Sequence, residues 1–119
     1  MKRGEASLQS ACVTWFNLQY PHYRGLLFHV PNGGSRNARE AANLKKQGVV
    51  AGVADLLLLL PRGGYGCLCI EMKIPKGVQS EYQRQWGERV TEHGNLYAVC
   101  RSVDEFMRII ISYLSCDKS

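Results

Sequence analysis

The 119-residue chain has no apolar run near the roughly 18 residues that a membrane-crossing helix needs; its leucine block, residues 56–60, covers only five positions. Met1-Lys2-Arg3-Gly4-Glu5 leads into no signal-like apolar segment. No membrane association is therefore expected, and the expected compartment is a cytoplasm. Repeats, low-complexity tracts and interdomain linkers are also missing, which leaves one domain over residues 1–119. Disulfide pairing is disfavoured, because the five cysteines (Cys12, Cys67, Cys69, Cys100, Cys116) are odd in number and mostly lie in apolar segments. Cys67-x-Cys69 lacks zinc-knuckle spacing. Acidic residues are scarce as well. The first 80 residues hold ten Lys and Arg but only Glu5, Glu40, Asp55 and Glu71 as acids, within a net charge of +5. A basic chain whose few carboxylates gather at one point suits a polyanionic substrate held by its phosphates; ordinary solubility charge is the plainer alternative.

What is present centres on residues 52–73. Residues 56–60 and 66–73 are apolar runs of strand length, and Pro61, Gly63 and Gly64 between them supply turn chemistry. An antiparallel hairpin with its turn near Gly63 sets Asp55 opposite Glu71, with Cβ atoms about 4.5–5.5 Å apart. Two carboxylates that close, beside strands apolar on both faces, repel one another. One takes up a proton unless a cation lies between them. Lys73, two residues beyond Glu71, shares its face, whereas Met72 points the other way into the packing. Two carboxylates and an ammonium on one sheet face fit a divalent-metal site with a catalytic lysine.

Gly52-x-x-Asp55, a strand, then Glu71-x-Lys73 resembles the signature of the PD-(D/E)xK nuclease superfamily. His29-Val30-Pro31-Asn32-Gly33-Gly34 with Arg36, Gly48-Val49 with Gly52, and Ser80 with Gln83, Trp86 and Gly94 narrow the likeness to the virus-type replication-repair nuclease (VRR-NUC) family. Each short motif is weakly specific and the ordered set much more so. Ala54 departs from the family, which usually has proline there. The resemblance covers nearly the whole chain. It implies an α/β (α+β) fold with a restriction-endonuclease-like core, a mixed central sheet of about four strands flanked by helices. It also implies a Mg²⁺ or Mn²⁺ site completed by a first-helix glutamate and by the carbonyl of Met72, and a glutamine close to the catalytic lysine. Stand-alone, virus-type members further imply a homodimer that cuts branched DNA such as four-way junctions, in the bacterial host cytoplasm if the chain is phage-encoded.

Elsewhere, the spacing of Glu5, Leu8, Cys12, Trp15, Phe16 and Gln19 predicts an amphipathic helix over 5–19. Glu5 then either complements the helix dipole, worth about 0.3–1 kcal/mol, or turns with its stripe to the site. A strand is predicted over 26–30. The loop after it holds Asn32 and Arg36, and a helix over 37–47, ended by Gly48, carries Arg39 and Lys45. This basic edge, with Lys76 after the hairpin, is the candidate substrate surface; a solvated helix face is the alternative for the lysines. His29 could touch substrate or metal, but a lone histidine at a strand end is more often a satisfied structural residue. In the helix over 79–92, Ser80-x-x-Gln83 is a capping-box pattern, yet Gln83 shares a stripe with Trp86 and Val90 that turns it toward the sheet. Tyr82 and Trp86 are expected in the core. A strand over 96–100 and a helix over 103–114 follow, and Ile109 and Ile111 widen the latter's apolar surface enough to suit a partner.

The expected activity is metal-dependent hydrolysis of DNA phosphodiester bonds. Asp55, Glu71 and Lys73 with Gln83 form the catalytic set, and Glu5, Asp55, Glu71 and Met72 the metal ligands. A salt bridge from Lys73 to Glu71 or Asp55 is the structural alternative, but it leaves the second carboxylate unexplained. A non-catalytic nucleic-acid-binding module with the same fold, and a basic structural protein of a replication or packaging complex, are the competing functions.

Overall fold

The computed structural model describes residues 4–31 and 37–118. Its elements are α1 (Glu5–Gln19), a 3-10 turn (Pro21–Tyr23), β1 (Leu27–His29), α2 (Ala38–Lys46), β2 (Leu56–Leu58), β3 (Leu68–Met72), α3 (Glu81–Glu92), β4 (Leu96–Cys100) and α4 (Val103–Leu114). The strands form one mixed sheet in the order β1-β2-β3-β4, with β3 and β4 parallel and the other two pairs antiparallel. This is the α+β architecture, four strands flanked by helices, expected for the chain.

The hairpin takes the register that a turn near Gly63 dictates. Leu56 pairs with Ile70, Leu57 with Cys69 and Leu58 with Leu68, and one further step sets Asp55 opposite Glu71. Alternation then sorts the side chains. Leu56, Leu58, Leu68, Ile70 and Met72 are sealed from solvent against Cys12 and Phe16 of α1 and Phe106 and Ile110 of α4. Each such burial is worth roughly 1.5–3 kcal/mol. Cys69, Glu71 and Lys73 face the opposite side, where α3 packs on β4.

Both hairpin strands are shorter than the apolar runs that form them. The Leu60 carbonyl accepts the Tyr113 hydroxyl of α4 at 2.6 Å, and the Gly66 N–H goes to the Gly94 carbonyl. Helix limits follow their caps. Asn37 accepts the Glu40 N–H, so α2 starts at Ala38, and the Ser80–Gln83 capping box starts α3 at Glu81 rather than Gln79. Tyr82 is a correction, for it is 66 % exposed rather than core. The buried face of α3 centres on Gly87, where an added Cβ would sit 2.7 Å from the Tyr97 ring, and Tyr82 lies to one side of it. Trp86 is partly buried, edge-on to Tyr97, and lies outside the core cluster expected for it. On α4, Ile109 packs against the core while Ile111 stays about half exposed.

Topology decides where chemistry can gather. β1 and β4 both run parallel to β3, so their C-terminal ends share one end of the sheet. α1 starts there, because Gly4 lies beside the Ile74 side chain. α4 starts there three residues after Cys100, whose carbonyl accepts the Lys73 N–H. The first turn of α3 touches the Gly52 backbone, three residues before Asp55. Three helix N-termini, each with a partial positive charge, open toward the same end.

Candidate active site

β3 delivers Glu71 and Lys73 to that end of the sheet, and both are almost fully buried, at 1 % and 5 % exposure. Lys73 Nζ stands 3.7 Å from Glu71 Oε2, an ion-pair distance too long for a hydrogen bond. Asp55 lies one residue before β2 and completes the sheet end with its side chain: its Oδ2 accepts the Met72 N–H at 2.8 Å. In an extended strand the N–H and C=O of one residue point to the same edge, so the Met72 carbonyl is directed to the Asp55 side. The Asp55 carbonyl in turn accepts the Val30 N–H at 2.9 Å and His29 Nδ1–H at 2.8 Å. His29 thus has the structural partner anticipated for it. Glu5, 5 % exposed in the first turn of α1, adds a third carboxylate.

These acids are electrostatically unfinished. Burial, and after it the neighbouring Asp55, push Glu71 up to about 8; Lys73 opposes the shift and Glu5 adds to it. Both carboxylate oxygens of Glu71 and Oε2 of Glu5 are buried without a hydrogen-bond donor. Orphaned acceptors of this kind are rare in folded proteins, since each loses its hydration without return. A divalent cation beside them would offset that cost, and hard oxygen donors are the set that Mg²⁺ and Mn²⁺ prefer. In charge and donor type, Glu5, Asp55, Glu71 and the Met72 carbonyl fit such an ion. Among the described residues, no three His, Cys, Asp or Glu side chains converge closely enough to form a chelate.

Gly52 fixes the approach to Asp55. Its φ is +86°, and an added Cβ would lie 2.3 Å from the Tyr82 carbonyl oxygen and 2.9 Å from the Gln83 nitrogen. Only glycine allows this contact, which ties the segment before Asp55 to the first turn of α3. Gln83 sits in that turn, where its Oε1 accepts the Ser80 N–H at 2.8 Å and its own N–H goes to Ser80 Oγ at 3.1 Å. The capping role anticipated for it is present.

The profile of the VRR-NUC domain matches residues 3–104. The chain belongs to the VRR-NUC family. A solved structure described as a VRR-NUC domain protein superposes with a TM-score of 0.83 at 25% identity, over 99% of this chain and 93% of that one. Among curated proteins none matches. The chain therefore carries a nuclease-type fold, and Glu5, Asp55, Glu71 and Lys73 all lie within the matched span.

The remaining candidates divide. Lys76 is exposed in the loop directly beyond Lys73. Arg39 and Lys45 are exposed on α2, a helix with no buried residue. Asn32 and Arg36 lie outside the described residues. A groove of about 370 Å³ between α3 and β4, lined by Gln79, Gly87 and Tyr97 among others, includes none of the clustered acids. Two residues escaped the sequence. Gln9, one turn after Glu5 on the same buried stripe of this VRR-NUC chain, leaves Oε1 without a donor. Its i, i+4 spacing from Glu5 was the available signal. Arg101 sends one guanidinium nitrogen to the carbonyls of Ile74, Pro75 and Gly77 at 3.0, 3.3 and 2.6 Å. Nothing in its local pattern announces that.

Proposed function

We propose that the protein is a divalent-metal-dependent endodeoxyribonuclease, selective for branched DNA such as four-way junctions and acting as a homodimer in a cytoplasm. The observation that carries this reading is the set of buried, donorless carboxylate oxygens of Glu5 and Glu71 beside Asp55 and Lys73. Glu5, Asp55, Glu71 and the Met72 carbonyl would hold Mg²⁺ or Mn²⁺. When bound, the ion supplies positive charge at the scissile phosphate and a more acidic water.

The protein's own groups do the rest. Lys73, kept short of solvent, orients or deprotonates the attacking water and offsets charge growing on the phosphate oxygens. The N-terminal ends of α1, α3 and α4 add partial positive charge on the same side. Asn32, Arg36, Arg39, Lys45 and Lys76 contact the DNA backbone, which positions the duplex without reading bases. Gln83 holds the first turn of α3 through its capping box, and likeness to the family would set its amide near Lys73. Selectivity then rests on DNA shape and on two copies addressing two strands.

A second reading, a nucleic-acid-binding module of this fold that does not cut, is favoured by one observation: no three His, Cys, Asp or Glu side chains converge to a chelate among the described residues. A cleavage screen over linear, flapped and four-way DNA with Mg²⁺ and Mn²⁺ separates the two. Metal-dependent product, greatest on the four-way junction and absent with Lys73→Ala, supports the nuclease; binding without product on every shape supports the module. Sedimentation at micromolar concentration tests the dimer, and a monomer that still resolves junctions removes it.

A further inference from the structure

The connection between β3 and α3 is held by a residue from another strand. Arg101 follows β4, and its one guanidinium nitrogen is shared by the carbonyls of Ile74, Pro75 and Gly77. Those carbonyls belong to the four residues that follow Lys73. A charged donor of fixed planar geometry is among the stronger protein hydrogen-bonding groups. Arg101 is itself fixed, since its backbone N–H donates to Glu105 Oε1 at 2.7 Å in the first turn of α4. The loop so gathered folds back on the lysine. Gly77 is buried, its N–H bonds the Ile74 carbonyl at 2.9 Å, and a Cβ placed on it would lie 3.4 Å from Lys73 Cδ. The Lys73 stem thus has the loop on one side, and its head faces Glu71.

We propose that Arg101 is a positioning residue for the Lys73 ammonium, acting through the 74–77 loop that it clamps. The assignment rests on the reading of Lys73 as the group that handles the attacking water. A lysine has four rotatable side-chain bonds, and its buried head is useful only in one placement relative to the acids. Releasing three carbonyls frees the loop and then the stem. Misplacement of a reacting group by about 1 Å lowers turnover by about 100-fold while leaving substrate contacts in place.

The test compares Arg101→Gln, Arg101→Lys and Gly77→Ala in junction cleavage with Mn²⁺, each first shown to fold by its melting transition. Arg101→Gln should lower kcat by about 100-fold with KM little changed. Arg101→Lys should recover most of the loss, because an ammonium has three donors for three carbonyls. If Arg101→Gln does not fold, Gly77→Ala decides instead: its Cβ would crowd the Ile74 carbonyl oxygen at 3.2 Å, an acceptor of Arg101, beside the Lys73 stem, and should lower kcat alone. Wild-type kcat in the folded variant, or a loss confined to KM, overturns the proposal. A second readout needs neither DNA nor metal. The Lys73 side-chain NMR signal should be distinct in the wild type and collapse toward those of Lys45 and Lys46 in Arg101→Gln. An unchanged signal overturns the clamp. Should the wild type cut no DNA at all, the nuclease reading fails, and the NMR comparison alone still decides what Arg101 does.

Discussion

Asp55 Oδ2 accepts the backbone N–H of Met72 at 2.8 Å, so the side chain of one hairpin strand caps the other at the point where Glu71 and Lys73 emerge. The aspartate is thereby both a structural acceptor and a charge beside Glu71. The two roles separate by substitution. Asp55→Asn keeps an acceptor for Met72 and should melt close to the wild type, whereas Asp55→Ala orphans that N–H and should be less stable by about 1–3 kcal/mol. Both should lose cleavage. Thermal melts set beside junction assays check this, and an active Asp55→Asn would remove the charge from the account.

Glu71 sets the pH dependence. Its carboxyl is raised from 4.5 to about 8 by burial and by the Asp55 charge. Between those values the folded chain binds one more proton than the unfolded chain, so metal-free stability falls as pH rises through that window, by at most about 1.4 kcal/mol per pH unit. Metal requires the ionised form. Mn²⁺ affinity should therefore climb up to about tenfold per pH unit below pH 8 and then level, with nearly one proton released per ion bound near pH 7. Calorimetry at several pH values and in two buffers measures both. Glu71→Gln should abolish the metal-induced rise in melting temperature. Affinity independent of pH would show that Glu71 is not a ligand.

Gly52 should tolerate nothing larger. Gly52→Ala brings its Cβ within 2.3 Å of the Tyr82 carbonyl oxygen at a φ of +86°, so the segment before Asp55 must shift. A loss of about 1–3 kcal/mol is expected, together with a fall in cleavage beyond what the lower melting point explains. Chemical denaturation and single-turnover rates check the two effects separately.

Gln83 can be sorted by a pair of variants. Gln83→Ala removes half of the capping box and should lower stability by about 0.5–2 kcal/mol. Gln83→Glu keeps an oxygen for the Ser80 N–H and should fold normally. A slow Gln83→Glu enzyme of wild-type stability places the amide at the reaction; a fast one leaves Gln83 a cap and nothing more.

Much of this was legible in the residues. Gly63 and Gly64 after five leucines fixed the hairpin register, and with it the pairing of Asp55 with Glu71. The helix starts expected at 37, 79 and 103 fall within about two residues of those that Asn37, Ser80 and Ser102 cap, the usual scatter of such boundaries. What stayed hidden depends on contacts between distant segments. The strands stop at Leu58 and start at Leu68, and beyond them Leu60 and Gly66 bond Tyr113 and Gly94, which no local pattern connects to them. Tyr82 looked like core because aromatics usually are, but the approach of Gly87 to Tyr97 turned α3 so that it faces solvent. Arg101 reads as an ordinary strand-end charge until the loop it grips is folded beside it.

The most direct measurement is single-turnover cleavage of a four-way junction at saturating Mn²⁺ by the wild type and Lys73→Met, which keeps the buried stem and removes the ammonium. Metal-dependent cutting by the wild type, with Lys73→Met slower by at least about 100-fold yet equally tight on DNA, is the predicted result. Equal rates in the two proteins, or no product from either, would contradict a catalytic site built on Asp55, Glu71 and Lys73.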